Sequence, residues 1–228
     1  MRENPVVLSE MLLQGVRQND DVKPVLGSLS TCHTNELQFE NDSLRKAFWL
    51  NIYNATVQYW LKKNPEVYNN RWAFYNKKAI EIAGRRLSPN NIEHGILRRS
   101  KWLYGLGYVQ TLFPNGFEKR TRVNTLDNRI HFALNCGAKS CPPIIAYKHN
   151  QVDDQLNEVT KLFLQANTRV ENNRLYISKL FLWYRGDFGG KQNVIKFLKD
   201  YSALPNQPFE RVVYDGYDWT LKTDMYAD

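Results

Sequence analysis

Side chains that could take part in covalent chemistry are concentrated in one short segment of this 228-residue chain. Segment 129–143 contains one arginine, one histidine, two cysteines and one serine: Arg129, His131, Cys136, Ser140 and Cys141. Thiol catalysis requires a thiolate, formed beside an imidazole or at the positive end of a helix, and a third group that orients the imidazole. These residue types therefore predict a cysteine-dependent site.

Of the two nearby cysteines, Cys141 is the favoured nucleophile. It directly precedes Pro142, where a helical turn with free backbone N–H groups would lower the pKa of the thiol. Cys136 ends a predicted buried strand over residues 129–136 and is the less exposed of the two. His131 lies on that same strand and faces away from Cys136, since side chains alternate along a strand.

His94 is the favoured base, because it lies on a separate predicted helix and can approach the cysteine loop. Its neighbour Glu93 does not share a helical face with it and more readily pairs with Arg98 or Arg129. We therefore expect catalytic roles for both cysteines, both histidines, Ser140 and Glu93.

Three other interpretations of the cysteines stay open. They can be small buried hydrophobic residues, or Cys136 and Cys141 can form a disulfide in an oxidising compartment. The cysteines can also bind zinc together with His94 and His131, but the chain lacks a Cys-x2-Cys knuckle. It also lacks a phosphate-binding glycine loop and a Gly-x-Ser-x-Gly motif. We predict no metal and no cofactor.

The elements that must position these side chains are mostly helical. Apolar spacing and capping residues predict helices over 5–18, 42–63, 92–98, 151–167 and 193–201, with a short one after Ser178. Short strands are predicted on both sides of Gly84, in a hairpin around Asn172–Asn173, and as a terminal pair near 212–214 and 219–221. Residues 102–125 are expected to be irregular. The fold class is α+β, a helix-rich domain on a small antiparallel or mixed sheet.

Two amides lie three residues apart on the most apolar predicted helix, at Asn51 and Asn54. Buried amides need hydrogen-bond partners. The favoured interpretation is that they hold a neighbouring loop in place, and contact with a substrate is the alternative.

The net charge of +8 comes entirely from residues 71–129. This stretch holds 12 lysines and arginines against four acids, and the other 19 bases and 19 acids cancel. Interleaved aromatic residues are compatible with nucleic acid, but without a recognised motif we disfavour it. We expect the charge to flank a cleft, where Arg98 and Arg129 bind an acidic or peptide-like ligand.

Composition places the chain among globular proteins, with 43% hydrophobic and 24% charged residues. No apolar run approaches the roughly 20 residues of a membrane span. The first residues lack a signal-peptide pattern, so the protein is cytoplasmic or a signal has been removed. The sequence does not indicate an oligomeric state.

Five blocks of the chain resemble the domain-of-unknown-function family DUF547. They are AFWLNIYNA at 47–55, LSPNNIEHGILR at 87–98, RIHFALNCGAKSCPP at 129–143, LFLWYRGDF at 180–188 and YDWTL at 217–221. The resemblance covers about residues 44–221 and implies one domain over 1–228, with 1–40 as an N-terminal helical extension. The family usually has an acidic residue where this chain has Asn90–Asn91, which puts a capping carboxylate in doubt.

The resemblance places the candidate site residues in blocks that the family shares, but the family's name records no activity. It adds Trp183 and Tyr184 as candidate substrate-binding residues beside Arg98, Arg129, Asn51 and Asn54. Many bacterial members are similar to exported envelope proteins, which implies export with the signal removed. A cytoplasmic location stays open.

Two functional hypotheses follow. The first is a thiol-dependent hydrolase or acyl transferase, papain-like or transglutaminase-like by analogy, in which Cys141 or Cys136 attacks an amide or ester carbonyl. His94 or His131 would be the base, and Ser140 or backbone N–H groups of 137–141 would bind the oxyanion. The second is a binding module whose basic cleft holds an acidic ligand, a glycan or a protein partner.

Overall fold

The computed structural model describes residues 3–227. Its α-helices are α1 (Pro5–Gln18), α2 (Lys23–Thr31), α3 (Asp42–Lys63), α4 (Arg71–Asn76), α5 (Gly116–Thr121), α6 (Val152–Ala166), α7 (Leu180–Trp183) and α8 (Lys191–Asp200). A π-helix covers Asn91–Leu97, and 3-10 segments cover Thr34–Leu37, Pro65–Asn70 and Asn128–Phe132. The strands are β1 (Ile80–Ile82), β2 (Arg85–Leu87), β3 (Arg169–Glu171), β4 (Arg174–Ile177) and β5 (Arg211–Tyr214).

The strands form two small sheets. β1 and β2 pair antiparallel, with Ile80 opposite Leu87. β3 and β4 form a hairpin whose turn residues Asn172 and Asn173 have φ values of 47° and 57°, the left-handed values that a tight hairpin turn requires. β5 adds to β4 in parallel, with Arg211 opposite Arg174. The predicted α+β class is confirmed, and the larger sheet is mixed.

Helix α3 is the centre of the larger hydrophobic cluster. Its residues from Arg45 to Gln58 are all buried, because apolar side chains cover most of its circumference and α1 packs along it. A second cluster surrounds Phe132 and Phe181 and includes side chains of α6 and α8. None of the helices in residues 3–227 combines the length and apolar character that a bilayer crossing needs.

The sequence at the start of α3 predicts Asp42 or Ser43 as the N-cap. In the structure Asn41 is the N-cap instead, and its side-chain oxygen accepts a hydrogen bond from the Leu44 N–H at 3.0 Å. Asp42 accepts from the backbone N–H groups of Asn124 and Thr125. This first-turn carboxylate therefore holds the segment that follows α5 against α3.

The predicted strand over 129–136 is wrong. Asp127 caps a 3-10 turn there by accepting from the Arg129 N–H, and the chain runs without regular structure from Ala133 to Cys136. A short apolar run is compatible with either structure, and the local cap decides between them. Because the segment is not a strand, His131 and Cys136 are not forced to opposite faces.

The structure also differs from the prediction at the C-terminal strand pair and in the region predicted to be irregular. Residues 219–221 do not pair with β5, and Leu221 instead makes an isolated bridge to Ala138. Helix α5 forms inside the stretch predicted to be irregular, with Asn115 as its N-cap. The helices near 5–18, 42–63, 151–167 and 193–201 are confirmed.

The side-chain amides of Asn51 and Asn54 on α3 hold neighbouring loops in place, which agrees with the favoured interpretation. Asn51 bonds to both the N–H and the C=O of Tyr147, at 2.9 Å each. Asn54 donates to the Ala133 carbonyl at 3.0 Å and accepts from the Asn135 N–H at 2.9 Å. Asn54 thus fixes the chain immediately before Cys136.

We expect Asn54→Ala to lower the free energy of unfolding by about 2–4 kcal/mol, since it leaves two buried backbone groups without partners. Urea unfolding at neutral pH measures the change. Asn193→Ala is the matched control, because the Asn193 amide is exposed and donates to the Gly189 carbonyl just before its own helix. Equal losses in the two variants would contradict the role of Asn54.

Candidate active site

A cavity of about 380 Å³ opens between the two hydrophobic clusters. Its walls are mainly aromatic and aliphatic, with Tyr53 and Leu134 from one cluster and Leu180 from the other. The polar side chains on the wall include Glu93, His94, His131 and Cys136. No lysine or arginine of the described residues lines it, so the expected basic cleft is not supported.

The π-helix presents Glu93 and His94 to the cavity together. Its wide turns are closed by bonds such as Arg98 N–H to the Glu93 carbonyl at 2.7 Å. Ser88 and Asn91 fix its start, each donating its backbone N–H to the other's side chain. The sequence predicts an ordinary helix here, and π-turns occur frequently at functional sites.

A buried carboxylate, Asp187, connects the parts of the site. Its Oδ2 accepts from Arg98 Nε at 2.7 Å and from His131 Nε2 at 2.9 Å, and its side chain is fully enclosed. Burial would raise the pKa of Asp187, but the hydrogen bonds from His131 and Arg98 outweigh it and lower the pKa below its ordinary value. Asp187 is therefore an ionised partner for both.

The hydrogen bond to Asp187 sets the tautomer of His131. Because Nε2 donates, Nδ1 carries the lone pair, and the side-chain hydrogen bond of His131 within residues 3–227 is the one from Nε2 to Asp187. The ring stacks on Tyr184 with centroids 3.8 Å apart. Burial lowers the pKa of His131 although Asp187 opposes this, so the imidazole is neutral at pH 7 and can accept a proton.

His94 has the opposite tautomer. Arg98 Nη1 lies 2.6 Å from its Nδ1, and because a guanidinium can only donate, Nδ1 is the acceptor and Nε2 carries the hydrogen. Burial, reinforced by Arg98 and opposed by Glu93, lowers the pKa of His94 to about 4. In the described chain its Nε2 has no hydrogen-bond partner, so this N–H is free to meet a bound molecule.

Glu93 is held by two phenols. Tyr184 donates to Oε1 at 2.7 Å and Tyr53 to Oε2 at 3.3 Å. Burial would raise the pKa of Glu93, but His94, Arg98 and the Tyr184 bond lower it below its ordinary value. Glu93 therefore stays ionised and offsets the charge of Arg98.

The two cysteines are free thiols with their sulfurs 3.0 Å apart. Cys136 lines the cavity and is partly exposed, whereas Cys141 is buried. A hydrogen bond from Cys141 is the largest cause that lowers the pKa of Cys136 to about 7, helped by the Ala138 N–H and the Tyr217 hydroxyl and opposed by burial. Burial raises the pKa of Cys141.

These positions correct the expected order of the cysteines. No helix begins at Pro142, so no helix end lowers the pKa of Cys141. The thiol at the cavity with the lowered pKa is Cys136. No histidine nitrogen of residues 3–227 hydrogen-bonds to either sulfur. A proton transfer from a cysteine to a histidine would therefore need a bound molecule between the two side chains.

The expected oxyanion donors are not available in the cavity. Ser140 is not among the residues that line the cavity, and its Oγ accepts from the Asp218 N–H at 2.8 Å. The backbone N–H groups of the loop also have partners, at Gly137 (Asn135 Oδ1), Lys139 (Thr220 C=O), Ser140 (Asp218 C=O) and Cys141 (Ala138 C=O). The loop is thus fastened to the C-terminal segment and does not leave these donors open to the cavity.

The candidate substrate-binding residues are divided by the structure. Trp183 and Tyr184 line the cavity, whereas Asn51, Asn54 and Arg129 do not. Arg129 pairs with Asp127 and Asp153. Arg98 lies behind Tyr184, with its guanidinium carbon 4.7 Å from the centre of that ring.

Three residues of the site are not among those predicted from the sequence. The segment Asp187–Gly190 is typical of a helix end because of its two glycines, and Tyr53 lies among the apolar residues of a predicted core helix. Tyr217, whose hydroxyl lies 3.3 Å from Cys141 Sγ, is far away along the chain. One signal was available for Asp187, since a buried Arg98 needs a carboxylate partner.

Comparison with known proteins gives a family without an activity. The model of a family described as "Protein of unknown function, DUF547" matches residues 37–164, which is 128 of 228 residues. This region contains Cys136, Cys141, His94 and His131, whereas Asp187 lies beyond it. No curated protein and no solved structure matches the chain. Residues 3–227 contain no group of three or more His, Cys, Asp or Glu that could hold a metal ion.

We expect iodoacetamide to alkylate Cys136 before Cys141, with a rate that rises with pH around a midpoint of about 7. Cys141→Ala removes the main hydrogen bond to the thiolate and should move the midpoint upward, towards that of an ordinary thiol. Peptide mass mapping across pH measures both, and Cys32→Ala is the control. Faster labelling of Cys141, or an unchanged midpoint in Cys141→Ala, would contradict this assignment.

Proposed function

Because the chain belongs to the DUF547 family, whose description assigns no activity, we propose its activity from the site itself. The protein is a thiol-dependent hydrolase or acyl transferase that acts on an amide or ester bond, with Cys136 as the nucleophile. One observation carries the proposal. The Cys136 thiol and the Asp187-bound His131 line the same cavity.

His131 is the general base in this proposal, in place of the favoured His94. Its free lone pair is on Nδ1, its ring is fixed by Tyr184, and it is neutral at pH 7. Asp187 is the third group that thiol catalysis calls for, since it orients the imidazole and stabilises it once protonated. Asp187 acts through His131 and is a positioning residue.

His94 takes the role of oxyanion donor. Its Nε2–H is free, and Arg98 holds Nδ1 so that the ring cannot turn its lone pair towards the carbonyl. Its pKa of about 4 keeps it a neutral donor at pH 7. A positioned neutral donor of this kind stabilises negative charge that develops on a carbonyl oxygen.

The proposed reaction needs no other reactant than the substrate and water. As the Cys136 sulfur bonds to the carbonyl carbon, the thiol proton passes to Nδ1 of His131 through a bound water. The same proton then goes to the leaving nitrogen or oxygen as its bond to carbon breaks, which leaves a thioester. Water or a second acceptor then attacks the thioester carbonyl and gives its proton to His131. As the carbon–sulfur bond breaks, that proton returns to the Cys136 sulfur, and the acid or the acylated acceptor is released.

The substrate of this proposal has an apolar acyl group. Leucines, tryptophans and tyrosines form most of the wall, and among residues 3–227 the one carboxylate that lines it is that of Glu93. Such a wall favours an uncharged acyl chain or an apolar side chain over an anion, because an anion would lie against Glu93 without a cation. This differs from the acidic ligand that the charge count indicates.

The test uses p-nitrophenyl acetate as an acyl donor. We expect a burst of nitrophenolate and one acetyl group on Cys136 by mass spectrometry. Cys136→Ala should abolish the burst, and His131→Asn should slow it by about 100-fold or more, the usual contribution of a general base.

Cys32→Ala and His149→Asn are the matched controls, since both lie outside the cavity, and they should leave the burst unchanged. Unfolding midpoints show whether each variant is folded. Acetylation that persists in folded Cys136→Ala, or equal rates in His131→Asn and His149→Asn, would overturn the proposal. A wild-type protein that binds the ester without releasing nitrophenolate would instead identify the cavity as a binding site without chemistry.

A further inference from the structure

Loop 102–113 presents an unusual apolar surface. Ten of its twelve residues are exposed, and the two buried ones are glycines. Its exposed large apolar side chains are Trp102, Leu103, Tyr104, Leu106, Tyr108, Val109, Leu112 and Phe113. Leu112 and Phe113 are 83% and 90% exposed. Contiguous exposed apolar side chains of this kind mark an interaction surface.

The charged residues that flank this loop in the sequence are almost all positive. No charged residue occurs from Trp102 to Phe117, and the flanking residues form a basic collar of Arg99, Lys101, Lys119, Arg120 and Arg122, with Glu118 as the one acid among them. The two flanks meet in space, because Arg122 Nη1 donates to Ser100 Oγ at 2.6 Å. The uncharged loop is thus flanked at both ends by basic residues, and its two ends lie close together.

Backbone bonds fix the shape of the loop. Trp102 N–H donates to the Val109 carbonyl at 3.0 Å, and Gly186 N–H donates to the Leu106 carbonyl at 2.7 Å. Gly107, with a φ of 83°, lies so close to Asp187 that a Cβ would meet the Asp187 nitrogen at 2.6 Å. The backbone of the loop is therefore held against the segment that contains Asp187.

We propose that loop 102–113 docks this protein on an anionic lipid bilayer surface. Tryptophan and tyrosine favour the bilayer–water interface, leucine and phenylalanine favour the acyl region, and basic residues above them meet anionic headgroups. The loop supplies the first two, and the basic collar supplies the third. This inference rests on the exposed surface and does not depend on the proposed catalysis.

A second copy of the chain fits this surface less well. Two loops packed face to face would bring two basic collars together, and the repulsion between like charges opposes such a dimer. An anionic bilayer matches both the exposed apolar side chains of the loop and the positive charges of the basic collar. The loop also contributes Leu103, Tyr104 and Leu106 to the cavity wall, so docking would bring the mouth of the cavity to the lipid surface.

Sedimentation with lipid vesicles tests the proposal. We expect the wild-type protein to bind vesicles of phosphatidylcholine with phosphatidylglycerol at low salt, and to bind phosphatidylcholine vesicles far more weakly. Leu112→Glu/Phe113→Glu should weaken binding to the anionic vesicles by about tenfold or more, because it replaces the two most exposed apolar side chains of the loop with negative charges. Lys119→Ala/Arg120→Ala should weaken it by about fivefold for each charge removed.

Matched changes elsewhere on the surface are the controls. Leu162→Glu alters an apolar side chain that is 54% exposed on α6. Lys161→Ala/Lys199→Ala removes two exposed charges that belong to neither the loop nor the basic collar. Neither should change vesicle binding. Absence of wild-type binding to anionic vesicles at low salt would overturn the proposal, as would undiminished binding of Leu112→Glu/Phe113→Glu. A wild-type dimer that this double variant makes monomeric, without vesicle binding, would assign the loop to self-association.

Discussion

The site depends on one fully enclosed carboxylate, that of Asp187, which accepts hydrogen bonds from Arg98 and His131 on the same oxygen. An isolated buried charge is expensive, and removal of one partner from a buried pair costs about 3–5 kcal/mol. Arg98 is 1% exposed and has no other carboxylate within ion-pair distance in the described residues. The loop after α7, the π-helix and the 3-10 turn at Asn128–Phe132 are therefore held together by this interaction.

The same interaction sets the proton arrangement of the cavity. Asp187 accepts a hydrogen bond from the Nε2–H of His131, and Arg98 donates to Nδ1 of His94, so one imidazole is left with a free lone pair and the other with a free N–H. Both histidines have lowered pKa values because they are buried. Glu93 adds a second negative charge beside Arg98 and receives hydrogen bonds from two phenols. A neutral acceptor and a neutral donor are thereby available at pH 7.

The sequence predicts well what local patterns control. Helices α1, α3 and α6 follow apolar spacing, and the β3–β4 hairpin follows Asn172–Asn173. The fold class and the grouping of His94, His131 and the cysteines into one region also come from the sequence. The strand over 129–136 fails because a short apolar run suits more than one conformation, and the Asp127 cap decides.

The remaining errors concern partners that are distant along the chain. Local sequence cannot show that Cys141 is buried behind Cys136, nor that Tyr217 reaches both sulfurs. The charge count identifies the basic stretch at 71–129 but not its partners. The structure pairs Arg98 and Arg129 with carboxylates outside the cavity wall and leaves Lys119 and Arg120 exposed beside an apolar loop.

The most direct test of this account is the tautomer of His131, measured by long-range ¹H–¹⁵N NMR of the imidazole rings at neutral pH. His131→Asn assigns the signals, and the exposed His149 serves as the internal reference. We expect a neutral ring with the proton on Nε2 and an unprotonated Nδ1. A proton on Nδ1, or a doubly protonated ring at neutral pH, would contradict it, because His131 would then have no lone pair with which to act as the base.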